Sequence, residues 1–168
     1  MAMSNFLDSF NVTTGAVGST IVRTGYGFQP KAFIIWTSGR TEAVDTVGGF
    51  NHTMRIGFGT SPTQRACQAT HSEDTVGTSD SDNYTDNVSC LRILGAGGVT
   101  DGLLDIQTFD VDGLTFIIDN QFTKNVRVFV LAYGGSDITN AKASTVTSLT
   151  GTSNESFTDP GFTPTILF

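Results

Sequence analysis

Positive charge is scarce in this chain. Nine Lys and Arg residues stand against sixteen Asp and Glu, for a formal net charge of −7 and a pI near 4.5. Neutralising phosphates takes clustered basic side chains, and these nine are scattered, which argues against a nucleic-acid partner and disfavours an anionic membrane surface. Charged residues of both signs make up only 15% of the chain, below the roughly 25% of an average soluble protein. Thr, Ser, Asn and Gly supply the polar surface instead. Long apolar runs are missing as well. None approaches the roughly 20 residues that a membrane-spanning helix needs. Met1 to Phe10 also lacks the basic and apolar regions of a secretory signal. Cysteine is limited to Cys67 and Cys90, too few for a disulfide scaffold.

Helical periodicity is almost absent, while short β-branched and aromatic runs recur between Gly, Asn and Asp residues. The 168 residues suit one domain with a sizeable core. Runs such as Ala32-Phe33-Ile34-Ile35-Trp36 and Val126-Arg127-Val128-Phe129-Val130-Leu131 provide the apolar area that a disordered chain lacks. Strands are predicted over Phe6–Val12, Thr20–Thr24, Lys31–Thr37, Met54–Gly59, Arg65–His71, Val88–Leu94, Leu103–Phe109, Leu114–Asp119 and Val126–Tyr133. Their number and turn chemistry predict an all-β fold, an antiparallel β-sandwich or jelly roll. The clearest hairpin joins Asp105–Phe109 to Leu114–Ile118 through Asp110-Val111-Asp112-Gly113, where Asp-Gly is expected to supply a positive φ.

The stretch from His71 to Asn87 carries only Val76 and Tyr84 as large apolar residues and reads as a long exposed loop. If its flanks pair as a hairpin, Cys67 and Cys90 fall at nearly mirrored positions, either as buried reduced thiols or as a disulfide. A weak repeat is also present. Thr14-Gly15 and Gly27-Phe28-Gln29-Pro30-Lys31-Ala32-Phe33-Ile34 are echoed by Thr150-Gly151 and Gly161-Phe162-Thr163-Pro164-Thr165-Ile166-Leu167-Phe168. Pro at the mouth of an apolar run suits the first residue of a strand. This divides the chain into a sandwich domain over 1–145 and a terminal strand segment over 146–168, which either opens a second copy or completes a sheet.

Chemistry is thinly represented. The only bases for nucleophilic catalysis at neutral pH are His52 and His71, no Gly-x-Ser-x-Gly elbow exists, and neither cysteine has a basic neighbourhood. Cys67 with His71 is a lone zinc-like pair. The Asp80-Ser81-Asp82 run with Asp74 and Asp86, and the Asp110 to Gly113 turn, lack the order and closing Glu of a calcium loop. Gly95 to Gly102 is rich in glycine but leads into a strand and not a helix, so it is not a phosphate loop. Thirteen Asp and three Glu offer carboxylates for glycosidase chemistry, but nothing singles out two of them. No catalytic residue, cofactor or metal site is therefore expected. Trp36 reads either as a core residue or as a stacking platform for a glycan or partner. In the second reading Arg40, Glu42 and Asp45 are its hydrogen-bonding neighbours and His71 stands at the mouth of the acidic loop.

The elements Gly25-Tyr26-Gly27-Phe28-Gln29-Pro30-Lys31-Ala32, Trp36-Thr37-Ser38-Gly39-Arg40-Thr41-Glu42, Asp101-Gly102-Leu103-Leu104-Asp105 and Leu131-Ala132-Tyr133-Gly134-Gly135 together resemble uncharacterised β-rich proteins from the structural gene clusters of tailed bacteriophages. The resemblance covers about Phe10 to Asp137. It implies a non-enzymatic virion part, such as a capsid decoration or cement protein or a tail component, with other virion proteins as partners. The Gly-Phe-x-Pro strand start is also similar, more faintly, to one in H-type lectins, which are small trimeric sandwiches; no sugar site is carried over. A symmetric homo-oligomer, a trimer, is expected, because open sheets leave edges that need covering. The alternative is a tail module for host attachment that binds a receptor or a host-surface glycan.

Overall fold

Side-chain alternation decides where each segment goes. The computed structural model describes residues 3–38, 52–73, 80–145 and 160–163. They form ten strands: β1 Ser4–Val12, β2 Thr20–Thr24, β3 Pro30–Thr37, β4 His52–Ser61, β5 Gln64–Glu73, β6 Asp80–Asp86, β7 Leu91–Leu94, β8 Thr100–Asp110, β9 Gly113–Asn120 and β10 Val126–Gly134. A single 3-10 turn lies at Ala96–Gly98. Two antiparallel sheets pack as a β-sandwich, the larger in the order β1-β10-β3-β4-β5-β6 and the smaller in the order β2-β9-β8-β7.

The core is the single layer between the sheets. From the larger sheet, Phe10, Val12, Phe33, Ile35, Val126, Val128 and Val130 point inward; Leu91, Ile93, Leu104, Ile106, Leu114, Phe116 and Ile118 answer from the smaller. Phe116 is the centre of an aromatic cluster, edge-on to Phe33 with centroids 5.7 Å apart and tilted against Phe10 at the same separation. Burying each such side chain contributes about 1.5–3 kcal/mol.

Nine predicted strands coincide with observed ones to within a few residues at either end, except that β7 begins at Leu91, leaving Val88 exposed before it. The larger departure is β6. Most of the predicted loop between His71 and Asn87 is described as strand, with β5 running on to Glu73 and β6 spanning Asp80–Asp86. An edge strand outside the core has no need of apolar alternation, so Asp-Ser-Asp-Asn-Tyr-Thr-Asp gives no strand pattern. The β5/β6 pairing also overturns the mirrored cysteines. Cys67 lies opposite Asp86, and Cys90 belongs to the approach to β7, donating from its thiol to the Leu104 carbonyl oxygen. Both thiols are free and buried.

The predicted β8/β9 hairpin is present, with Asp110 opposite Gly113 and Val111 at the exposed tip. The glycine has a different purpose from the one expected. A Cβ on Gly113 would lie 1.8 Å from the Arg23 carbonyl oxygen, so its bareness admits β2 alongside β9. The Asp112 carboxylate instead accepts from the amides of Gly25 and Gly27, which adopt φ of +88° and +76°. Most of the terminal strand segment expected over 146–168 lies outside the described residues; within it, Pro160–Phe162 form a turn.

A second close approach shapes the larger sheet. Gly57 on β4 faces inward, where a Cβ would sit 1.8 Å from the Cys90 carbonyl oxygen and 3.0 Å from Cys67 Cβ. Backbone cannot yield there as a flexible side chain could. Gly57→Ala should cost at least about 3 kcal/mol, comparable to a severe core substitution. Val111→Ala, at a position 82% exposed, should change stability by less than about 0.5 kcal/mol. Paired urea denaturation curves check this, with equal midpoints for the two variants as the contrary result.

Candidate functional site

Register divides the larger sheet into two faces. Phe33, Ile35 and Thr37 of β3 face the core, and their cross-strand partners Gly59, Gly57 and Arg55 on β4 share that side. Met54, Ile56 and Phe58 therefore point outward. The outer face continues across its neighbours in two aligned rows. Leu7, Leu131, Ile34 and Phe58 stand opposite one another on β1, β10, β3 and β4; Phe129, Trp36 and Ile56 form the next row. Leu7 is 62% exposed, Met54 57% and Ile56 39%.

This face is also nearly free of charge. On β1, β5 and β6 every carboxylate (Asp8, Glu73, Asp80, Asp82, Asp86) takes the inward register, and the outward positions hold Asn5, Ser9 and Asn11 at one side and Gln68, Thr70, Ser72, Ser81, Asn83 and Thr85 at the other. Arg127 of β10 is the one charged residue among the described outward positions. Its guanidinium donates to Ser9 Oγ and Asn11 Oδ1, while its Nε is buried without a partner. An apolar centre inside an uncharged polar rim is the anatomy of a protein interface.

Trp36 belongs to this outer face and not to the core. It is half-buried and stacks on Phe129, with ring centroids 5.7 Å apart and planes 15° from parallel. Arg40, Glu42 and Asp45 lie outside the described residues. His71 is on β5, two strands away, and faces the opposite side of the sheet, 6% exposed with Nδ1 lacking a hydrogen-bond partner. Trp36 and His71 are therefore not brought together. The face formed by Leu7, Met54, Ile56, Phe58, Phe129 and Leu131 is absent from the sequence-based candidates, although apolar residues alternating with Arg55, Gly57 and Gly59 are a legible signal.

Inside the sandwich, ionic groups seal its margins. Asp8 on β1 receives a two-pronged pair from Arg23 on β2, at 2.7 and 2.9 Å, with the Tyr26 hydroxyl donating as well. Asp105 on β8 is held by Arg65 on β5 at 2.7 Å. Asp86 accepts from the Val88 amide, Ser89 Oγ and Arg92, and the Arg92 guanidinium lies 4.1 Å over the Tyr84 ring. These contacts turn the chain from β6 in one sheet to β7 in the other. Arg55 is different: only 2% exposed, it donates from Nη2 to the Leu94 carbonyl, while Nε and Nη1 have no partner. Burial depresses its pKa to about 10, against the attraction of Asp101, so it remains a cation at neutral pH.

Among the described residues, both thiols and several carboxylates are engaged or silenced. Burial pushes the Cys67 thiol up to about 11 despite the hydrogen bond to Ser89, and burial also raises Cys90 well above its ordinary value, so neither offers a thiolate at neutral pH. The Asp110 carboxylate accepts from Thr108 and Thr115, and Asp86 is taken by the network above. An open cleft of about 520 Å³ lies at one end of the sandwich between Gln29, Lys31, Thr60 and Phe109. Its one cation, Lys31, donates to the Ile138 carbonyl.

Acid should release the margins. Burial opposes ionisation of Asp8 and Asp86, but Arg23 outweighs it at the first, and the Val88 amide with Arg92 and Ser89 at the second, leaving both carboxyls below the ordinary value. A depressed folded-state pKa contributes stability that is present above the unfolded value near 4 and lost as pH falls through the folded one. Asp86→Asn should cost about 1–3 kcal/mol at pH 7 and flatten the decline below pH 4. Melting temperatures across pH 2–7 check this; an acid limb of unchanged steepness in the variant is the contrary result.

The chain matches no family model, and neither curated proteins nor solved structures show significant similarity to it.

Proposed function

We propose that this protein is a non-enzymatic structural component of a bacteriophage virion, a capsid decoration or cement protein or a tail part, that works by assembling with copies of itself and with other virion proteins. The observation that supports this reading best is the outer face of the larger sheet: apolar at its centre and, among the described residues, free of carboxylates in a chain of net charge −7. Leu7, Met54, Ile56 and Phe58 are exposed on it, and contiguous exposed apolar patches mark association surfaces. The resemblance to phage structural gene products supplies the setting. An acidic chain is also suited to lying near packaged DNA without adhering to it.

One observation favours a second reading, a host-attachment module for a receptor or glycan. Trp36 stacked on Phe129 offers an outward aromatic surface of the type that sugars stack upon. The two readings separate on intact particles. Antibody to this chain, viewed by negative-stain electron microscopy, should label the capsid lattice or tail regularly. Labelling confined to fibre tips, with Trp36 fluorescence changing saturably on addition of host glycans, would favour attachment. Purified particles that carry no label would overturn the virion assignment.

A further inference from the structure

We infer that the outer face of the larger sheet is covered by the same face of a second copy of this chain, in a two-fold packing of sheet on sheet. This rests on reading that face as an assembly surface, and it adds the occupant.

Three features of the face choose a copy of the chain over a foreign partner. The first is β4. Its large side chains Met54, Ile56 and Phe58 point away from the core while Arg55, Gly57 and Gly59 point toward it. A strand turned this way leaves Met54, Ile56 and Phe58 in need of a second apolar layer on the far side, as in strands buried on both faces. Central strands β3 and β10 agree, with Ile34 and Trp36, and Phe129 and Leu131, outward of an already complete core.

The second is charge. Two chains of net charge −7 repel one another. The outward positions of the six strands carry no carboxylate among the described residues, so they form the surface by which two copies approach at least electrostatic cost. A basic partner would find nothing to pair with there, and an acidic one would find only Arg127, already held by Ser9 and Asn11. A neutral face that is apolar at its centre and lined with Asn, Ser, Thr and Gln is complementary to itself.

The third is extent. Six strands spaced about 4.8 Å apart, each with about seven paired residues at roughly 3.3 Å, present about 670 Å² in projection. Side-chain relief enlarges this toward the roughly 800 Å² per partner of a standard interface. A face meeting itself forms an isologous contact, so the stoichiometry is two or a multiple of two, in place of the trimer anticipated from the sequence.

The test uses the full purified chain. Sedimentation velocity at about 10 µM should give a dimer, or an even multiple of it. Leu7→Lys with Ile56→Lys, both at exposed positions, should give the 17.8 kDa single chain with unchanged far-ultraviolet circular dichroism. Gln68→Glu, at an exposed rim position that the core does not need, should weaken association about tenfold or more, and it decides the matter if the lysine variant fails to fold. Val111→Lys at the distant hairpin tip should leave assembly intact. A monomeric wild type, a trimer, or a dimer indifferent to both the lysine and Gln68→Glu variants would overturn the inference. A monomer whose outer face becomes accessible only after deletion of residues 146–168 would overturn it too, assigning the face to the chain's own C-terminal segment. Each of these results is obtained without particles, so it stands or falls separately from the virion labelling.

Discussion

The carbonyl oxygen of Cys90 occupies the space where a side chain at residue 57 would begin, 1.8 Å from the position of a Cβ there, and the layout of the larger sheet follows from that contact. The chain crosses from β6 to β7 against the inner side of β4, and only glycine at residue 57 makes room. Strand alternation then fixes the rest of β4. If residue 57 faces inward, residues 54, 56 and 58 face outward, and they are Met, Ile and Phe. A single steric requirement thus sends apolar side chains to a surface that would otherwise be polar. Strands β3 and β10, apolar on both sides, extend it across the middle of the sheet.

The same crossover is fixed by charge. Asp86, buried at the end of β6, gathers the Val88 amide, Ser89 and Arg92 within six residues of chain. Arg65 reaches both Asp105 and the Val88 carbonyl, tying the segment to β8. On the far side of the sandwich, Asp8 with Arg23 and Tyr26 joins β1 to β2. Each carboxylate is paired and hydrogen-bonded, the condition under which a desolvated charge is tolerated. Leaving one partner alone costs more than the pair contributes, so these contacts select one alignment of the sheets more than they add stability. Arg55, with two unpartnered guanidinium nitrogens, is a cost borne within the same region.

The fold class was legible because the core strands obey simple rules. In β1, β8 and β9, Phe10, Val12, Leu104, Ile106, Leu114 and Phe116 announce themselves by spacing and composition, and Asp110 to Gly113 announces their turn. What stayed hidden has physical causes. The edge strand β6 buries almost nothing, so its composition is that of a loop. Gly57 and Gly113 are explained only by the approach of chain distant in sequence, from Cys90 and Arg23. Trp36 sits in a run apolar on both sides, and no local rule says which side is the core. The cross-strand rows from Leu7 to Phe58 and from Phe129 to Ile56 join residues far apart in the chain, so the outer face exists only once register is known. Arg40, Glu42 and Asp45 lie outside the described residues, and His71 turned to the other side of the sheet from Trp36.

The central claim is that the larger sheet is apolar on two sides and shielded on both in the assembled protein. Trp36 is the only tryptophan in the chain, and it lies on the side in question. Acrylamide quenching of its fluorescence reports the shielding directly. The account predicts weak quenching at tens of micromolar chain, rising as the protein is diluted below the dissociation constant of the dimer. Strong quenching that is the same at every concentration, near that of free indole, would contradict it.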